Sequence, residues 1–263
     1  MPLKKIRKGE VWRCGEHRVV CGSALDRRSY EAALGGDVAQ LVVTSPPYNQ
    51  GLERFSSSGM QVKALSFTAR CRRSYADSIP EPLYQEQQRR LLDLLLVYTS
   101  DDGSVFYNHK NRYRRRRVIS PLSWILPSSW RLRQEVIWDR GGSVTLNSRM
   151  LMPVDERIYW LTKDDFVFFD TTELKRLGTV WRIAPRPESK VSMPFPLEIP
   201  LRAIRCTTHV GDTVLDPYGG SGTTLIAATR TGRRCVTIEL RPRYCEAIVD
   251  RWERETGRTA TRE

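Results

Sequence analysis

Thr213-Val-Leu-Asp-Pro-Tyr-Gly-Gly-Ser-Gly-Thr-Thr-Leu-Ile-Ala-Ala228, followed by Cys235-Val-Thr-Ile-Glu-Leu240, decides the fold. Thr213 to Leu215 is a short apolar strand, glycines 219, 220 and 222 form a loop, an apolar helical run follows, and Cys235 to Leu240 returns as a second strand. A helix precedes this unit after Pro200, and another follows it with Tyr244, Ala247, Ile248 and Trp252 on one face. Strands alternating with helices predict an α/β protein with a doubly wound, mostly parallel sheet.

Outward from that unit, Gln40 to Val43 is a continuous apolar run that stops at Thr44-Ser-Pro-Pro-Tyr-Asn49, the pattern of a buried parallel strand ending at two prolines that cannot continue it. Tyr84, Leu91, Leu92, Leu95 and Tyr98 share a helical face, with Pro82 where a helix start tolerates it. Strands are expected at Ser104 to Asn108, Gln134 to Trp138 and Arg157 to Leu161, and a hairpin joins Val11 to Cys14 with Arg18 to Cys21. Residues 50–79 have weak periodicity and read as a long mobile loop; 163–190 reads as irregular, and 257–263 as a frayed tail. One domain over 1–263 is the expectation for this length.

With 43 Lys+Arg against 30 Asp+Glu the chain carries a net charge of +13, which favours a polyanionic partner; a basic surface in which Arg replaces Lys is the bland alternative. The longest nearly apolar stretch, Leu91 to Tyr98, is far shorter than the ~20 residues a bilayer needs, so no membrane partner is expected. Six cysteines without a CxxC pair fit a reducing cytoplasm. Cys14, His17 and Cys21 lack a fourth ligand, and the hairpin explains their spacing, so no metal is expected.

The loop Asp216 to Thr224 lies at the usual ligand crevice of such a sheet, and Glu239 ends the next strand, where a carboxylate can accept both hydroxyls of a ribose. The loop has no P-loop lysine and begins with an acid, which would repel a pyrophosphate. S-adenosylmethionine, which has no phosphate and carries a sulfonium and an ammonium, suits it better. Asp216, Tyr218, Gly220, Gly222, Thr223 and Glu239 are the candidate cofactor residues. Ser45, Pro46, Pro47 and Tyr48 put a hydroxyl, a peptide carbonyl and an aromatic face in one rigid loop. Methylation of a base NH2 asks for this set: two acceptors for the amine protons and a platform for an extruded base.

Ser45-Pro-Pro-Tyr48 and Asp216-Pro-Tyr-Gly-Gly-Ser-Gly-Thr223 resemble the DNA amino-methyltransferases that act on adenine N6 or cytosine N4, with Tyr218 in place of a phenylalanine. Their order, target loop before cofactor loop, is similar to the circularly permuted β-class. Further segments match the family pattern at His17 to Gly22, Gly103 to Phe106, Asp155 to Lys163 and Pro194 to Leu197. The resemblance implies a Rossmann-like methyltransferase domain, duplex DNA as substrate, base flipping, and Phe195 at the methionine end of the cofactor. Ser192 stands where that family usually has a histidine, and Ser23 where an aspartate often holds the adenine.

Serine at the first target-loop position resembles the cytosine-N4 enzymes; adenine N6 is the alternative, with an RNA methyltransferase or an inactive DNA- or cofactor-binding module behind it. Arg112, Arg114, Arg115, Arg116 and Arg117 are the first phosphate-contact candidates, with Arg70, Arg72 and Arg73 next and a solvated helix face as the competing reading. The loop 50–79, the loop Arg140 to Met152 and the short segment 163–190 are the candidates for reading DNA sequence, with low specificity as the alternative. A homodimer sharing the grip and a cognate restriction endonuclease are left open as partners.

Overall fold

The computed structural model describes residues 4–49, 79–114, 117–142, 151–165, 167–185 and 195–263. The expected runs Arg70, Arg72 and Arg73, Arg115 and Arg116, and Ser192 lie outside them. A ten-stranded sheet organises the chain. Its strands are β1 (Val11–Cys14), β2 (His17–Cys21), β3 (Ala39–Thr44), β4 (Thr99–His109), β7 (Arg131–Asp139), β8 (Asp155–Thr162), β9 (Val180–Arg182), β10 (Thr213–Asp216), β11 (Arg234–Glu239) and β12 (Thr261–Arg262). They lie in the order β12-β1-β2-β11-β10-β3-β4-β8-β7-β9. Strands β2, β11, β10, β3 and β4 are mutually parallel, and β8 is antiparallel to both of its neighbours.

Near-continuous apolar runs suit strands covered on both faces. In β3, Leu41 and Val43 pack with Ile199, Ile204 and Leu225, whereas Val42 faces the other way and packs with Tyr30, Leu91 and Leu95. Helices α1 (Arg27–Leu34), α2 (Glu81–Tyr98) and α3 (Leu122–Ile125) cover one face. Helices α5 (Glu198–Thr207), α6 (Thr223–Thr231) and α7 (Pro242–Thr256) cover the other. In α2 the expected face is buried: Tyr84, Leu91, Leu92, Leu95 and Tyr98, together with Gln88. Each fully buried leucine there contributes roughly 1.5–3 kcal/mol. The doubly wound sheet is as expected.

Three details differ from the expectation. Segment 163–190 is not irregular throughout, for it holds α4 (Thr171–Lys175), capped by Asp170, and β9. The arginine run is no helix face: Arg112–Arg114 (β5) and Arg117–Ile119 (β6) pair as an antiparallel hairpin. Residues 257–263 are not a frayed tail. Thr261 and Arg262 pair with β1, and the Glu263 amide donates to the Val11 carbonyl at 2.9 Å. Ala260 is buried, and its amide donates to Glu253 at 2.7 Å. An added edge strand and a buried alanine outweigh the polar composition that suggested fraying.

From β10 the chain winds through α6 towards β11, and from β3 through α2 to β4 on the opposite side. The winding direction therefore reverses between β10 and β3. That reversal opens a crevice at the carboxyl ends of two adjacent strands, where α/β sheets bind ligands. Both sequence motifs leave the sheet there.

Candidate active site

On the β10 side, Asp216 is buried at its strand end and accepts hydrogen bonds from the Thr224 hydroxyl at 2.6 Å and the Tyr218 amide at 3.1 Å. Burial pushes its carboxyl up to about 7; the two donors pull it back and the Glu239 charge adds to the rise. Glu239, on the neighbouring strand, accepts from the Gly220 amide at 2.9 Å and the Arg241 amide at 2.8 Å, so it shapes the glycine loop that it faces. At two of its glycines the loop has no room for a side chain. A Cβ on Gly219 would overlap Thr237 Oγ1, and Gly222, at φ +77°, would meet Ile248 at 3.1 Å. Two buried carboxylates around a backbone-lined turn suit a cationic, phosphate-free ligand and oppose a pyrophosphate.

Tyr218, Gly220, Gly222 and Thr223 are brought to this loop, with Thr223 and the Ser221 carbonyl both engaged by Arg251. Phe195 is half-buried and packs at the edge of the core, just before α5. Ser23 leaves β2 beside Glu239, whose carbonyl accepts from the Gly22 amide at 3.0 Å. Its hydroxyl accepts from the Leu25 amide at 3.2 Å, closing a turn.

On the β3 side, Ser45, Pro46, Pro47 and Tyr48 follow the strand end. The Ser45 and Tyr48 hydroxyls lie 2.8 Å apart. Tyr48 donates to Glu156 Oε2 at 2.8 Å, and Asn108 Nδ2 reaches the Tyr48 hydroxyl at 2.8 Å, Glu156 Oε2 at 3.1 Å and Ser45 Oγ at 3.3 Å. Arg140 pairs with the other Glu156 oxygen at 3.0 Å. Burial, then the Glu156 charge, raise the Tyr48 phenol well above its ordinary value, so it stays protonated.

The loop is buttressed from below. The Lys110 amide donates to His109 Nδ1 at 2.8 Å, which leaves the imidazole proton on Nε2 to be donated to the Tyr84 hydroxyl at 2.6 Å; Tyr84 in turn donates to the Pro47 carbonyl at 2.7 Å. Only this tautomer lets Tyr84 make both bonds. Burial lowers His109 to about 3, so the ring is neutral at ordinary pH. Its centre lies 4.7 Å from the Tyr48 ring, and Lys110 Nζ lies 5.7 Å from the same ring. Asn49, in the left-handed region at φ +52°, holds the Ile79 backbone with both ends of its amide.

The arginine candidates separate sharply. Arg112 is buried and makes two bonds to Glu81, so its guanidinium supports the loop, and it is the least accessible of the expected phosphate contacts among the described residues. Arg114 is half-exposed and donates to the Asn49 carbonyl, whereas Arg117 is exposed. The sequence reading missed Asn108, Glu156, Arg140, His109 and Tyr84. Asn108 ends the expected strand Ser104 to Asn108, Glu156 lies in the family-like segment Asp155 to Lys163 just before an expected strand, and Tyr84 reads only as part of an apolar helix face. An aromatic cavity of about 130 Å³ lined by Phe106, Trp160, Trp181, Leu174, Leu177 and Cys206 lies instead between the sheet and α4.

Residues 39–250 match the DNA methylase family N6_N4_Mtase, a span that contains both loops and every strand between them. The chain belongs to that family. This DNA methylase is 30% identical to the Type II methyltransferase M.Cfr9I of Citrobacter freundii, over 97% of its own length and 94% of the relative's. Among solved structures it is similar to the PvuII DNA methyltransferase (cytosine-N4-specific), with a TM-score of 0.67, 17% identity, and coverage of 88% and 84% of the two chains. TTHA0409 from Thermus thermophilus, solved in complex with S-adenosyl-L-methionine, matches with a TM-score of 0.64, 24% identity, and coverage of 93% and 96%. At these identities the structural likenesses establish the permuted methyltransferase fold of the DNA methylase.

Proposed function

We propose that this DNA methylase transfers a methyl group from S-adenosylmethionine to the exocyclic N4 of cytosine in duplex DNA. The observation that carries the reading is the meeting of the two loops at one reversal point: a hydroxyl-bearing loop after β3 and a carboxylate-flanked glycine loop after β10. Asp216 and Glu239, with Tyr218, Gly220, Gly222, Thr223 and Phe195, are the residues that would hold the cofactor, whose sulfonium supplies an electrophilic methyl. The buried carboxyls suit its cationic groups. The TTHA0409 complex and the cytosine-N4-specific name of the PvuII enzyme support the same reading.

On the target side, the amine of a base conjugates with its ring and is a poor nucleophile. Acceptors for its two N–H groups restore lone-pair density at nitrogen as the methyl arrives. Ser45 Oγ and the backbone carbonyl of Pro46 are assigned that part, and the half-buried Tyr48 ring is assigned the face of the extruded base. Arg114 and Arg117, with Arg70, Arg72, Arg73, Arg115 and Arg116, are assigned to DNA phosphates, and 50–79 and 163–190 to sequence reading. The reading places the enzyme in the cytoplasm, with a cognate restriction endonuclease and a second copy of the chain left open as partners. No helix among the described residues is long and apolar enough to cross a membrane.

Competition tests the substrate class. With labelled cofactor, transfer to duplex DNA should survive an excess of structured RNA; suppression by RNA, with label appearing in it, would overturn the reading.

A further inference from the structure

Glu156 belongs to neither motif, yet it is the only carboxylate recorded in contact with the Ser45–Tyr48 pair among the described residues, and it is almost fully buried. An ionised carboxylate can only accept hydrogen bonds. Arg140 donates to Oε1 at 3.0 Å, which leaves Oε2 to accept from Tyr48 and Asn108. The direction of every bond in the cluster follows. Tyr48 must give its proton to Glu156, so its oxygen is free only to accept; Ser45, 2.8 Å away, therefore gives its proton to Tyr48. The Asn108 amide is a donor to all three. The remaining lone pair of Ser45 Oγ, which is half-exposed at the crevice, can then only accept.

We propose that Glu156, held by Arg140, is a positioning residue that forces Ser45 to act as hydrogen-bond acceptor toward the target amine and provides the far end of a proton path Ser45–Tyr48–Glu156. This rests on the amino-methyltransfer reading above. The new N–C bond leaves the amine with one proton too many. That N–H bond breaks with its electron pair kept on nitrogen, Ser45 Oγ takes the proton, the Ser45 proton passes to Tyr48, and the Tyr48 proton passes to Glu156 Oε2. One proton moves, the methylated base becomes neutral and Glu156 becomes a carboxylic acid. After the base leaves, the same path run backwards returns the proton to water at half-exposed Ser45. The methyl donor is the sulfonium of the cofactor, so no other reactant is needed.

Glu156→Gln distinguishes direction from mere packing. With Arg140 drawing the amide oxygen, the Gln NH2 faces Tyr48, which must now accept; Tyr48 then donates to Ser45, and the Ser45 proton turns outward at the amine. The single-turnover rate of methylation on duplex DNA, at saturating cofactor, should fall at least 10-fold, while the Kd values for cofactor and DNA change less than 2-fold. Tyr48→Phe, which keeps the ring and breaks the path, should lose a similar factor, and the double variant should lose little more than either. Tyr48→Phe decides alone if Glu156→Gln does not fold. Wild-type rates in either folded variant, or a loss confined to Kd, would overturn the proposal while leaving the methyltransferase reading intact. A wild-type protein that transfers no methyl group to DNA would overturn both.

Discussion

Arg112 and Glu81 meet through two hydrogen bonds of 2.6 and 2.7 Å, and the guanidinium lies 4.6 Å from the centre of the Tyr84 ring. The pair ties the first turn of α2 to the hairpin that follows β4. Tyr84 in turn holds the Pro47 carbonyl, so an arginine that resembles a DNA contact in the sequence instead supports the target loop. Arg112→Ala removes one partner of this pair and should cost roughly 2–4 kcal/mol of stability, read as a lower Tm or denaturation midpoint. Arg112→Lys should recover only part, because an ammonium cannot form the two-bond fork. An unchanged Tm would contradict the structural role.

Arg117, exposed in the same run, should behave in the opposite way. Arg117→Ala is expected to leave the Tm unchanged, weaken binding to all DNA sequences alike, and lower the slope of log affinity against log salt by about 1. Titration at several salt concentrations checks this; an unchanged slope would remove Arg117 from the interface.

Gly219 tests the cofactor loop. The space its Cβ would need is held by Thr237 Oγ1, itself bonded to the Asp216 carbonyl at 3.0 Å. Gly219→Ala should therefore displace the loop and weaken cofactor binding at least tenfold by isothermal titration. Wild-type affinity would show that the loop does not shape the site.

The Asp216 carboxyl gives a pH dependence with a definite sign. Between its ordinary value of 3.8 and about 7 the folded protein keeps a proton that the unfolded chain releases, so stability from this group falls as pH rises through that window. A cationic ligand favours the ionised form, so cofactor affinity should rise with pH up to about 7 and binding below it should release a proton. Calorimetry in buffers of different ionisation enthalpy measures that proton. Asp216→Asn should abolish the release; an unaltered proton count in that variant would assign the linkage elsewhere.

The C-terminal strand is also testable. Deleting residues 258–263 removes the pairing of Thr261 and Arg262 with β1 and the buried Ala260. The Tm should fall by several degrees, and an unchanged melt would contradict the observed packing.

What was legible in the sequence is local and periodic. The alternation of strands and helices, the buried face of α2 and the two loops at strand ends each follow from spacing within a few residues. Three things depend on distant residues and left no local sign. The arginine run reads as one charged stretch, but Glu81, 31 positions earlier, takes Arg112 out of it. Tyr48 reads as an aromatic platform, while the direction of its hydroxyl is set by Glu156, 108 positions away. The tail reads as polar and frayed because its partner strand is β1, at the other end of the chain.

The central claim is tested most directly by the product. Purified protein is incubated with methyl-labelled S-adenosylmethionine and mixed-sequence duplex DNA, the DNA is digested to nucleosides, and the labelled species is identified by mass spectrometry. N4-methyldeoxycytidine is the expected result. N6-methyldeoxyadenosine would contradict the choice of base while keeping the site, and the absence of any methylated nucleoside would contradict the account as a whole.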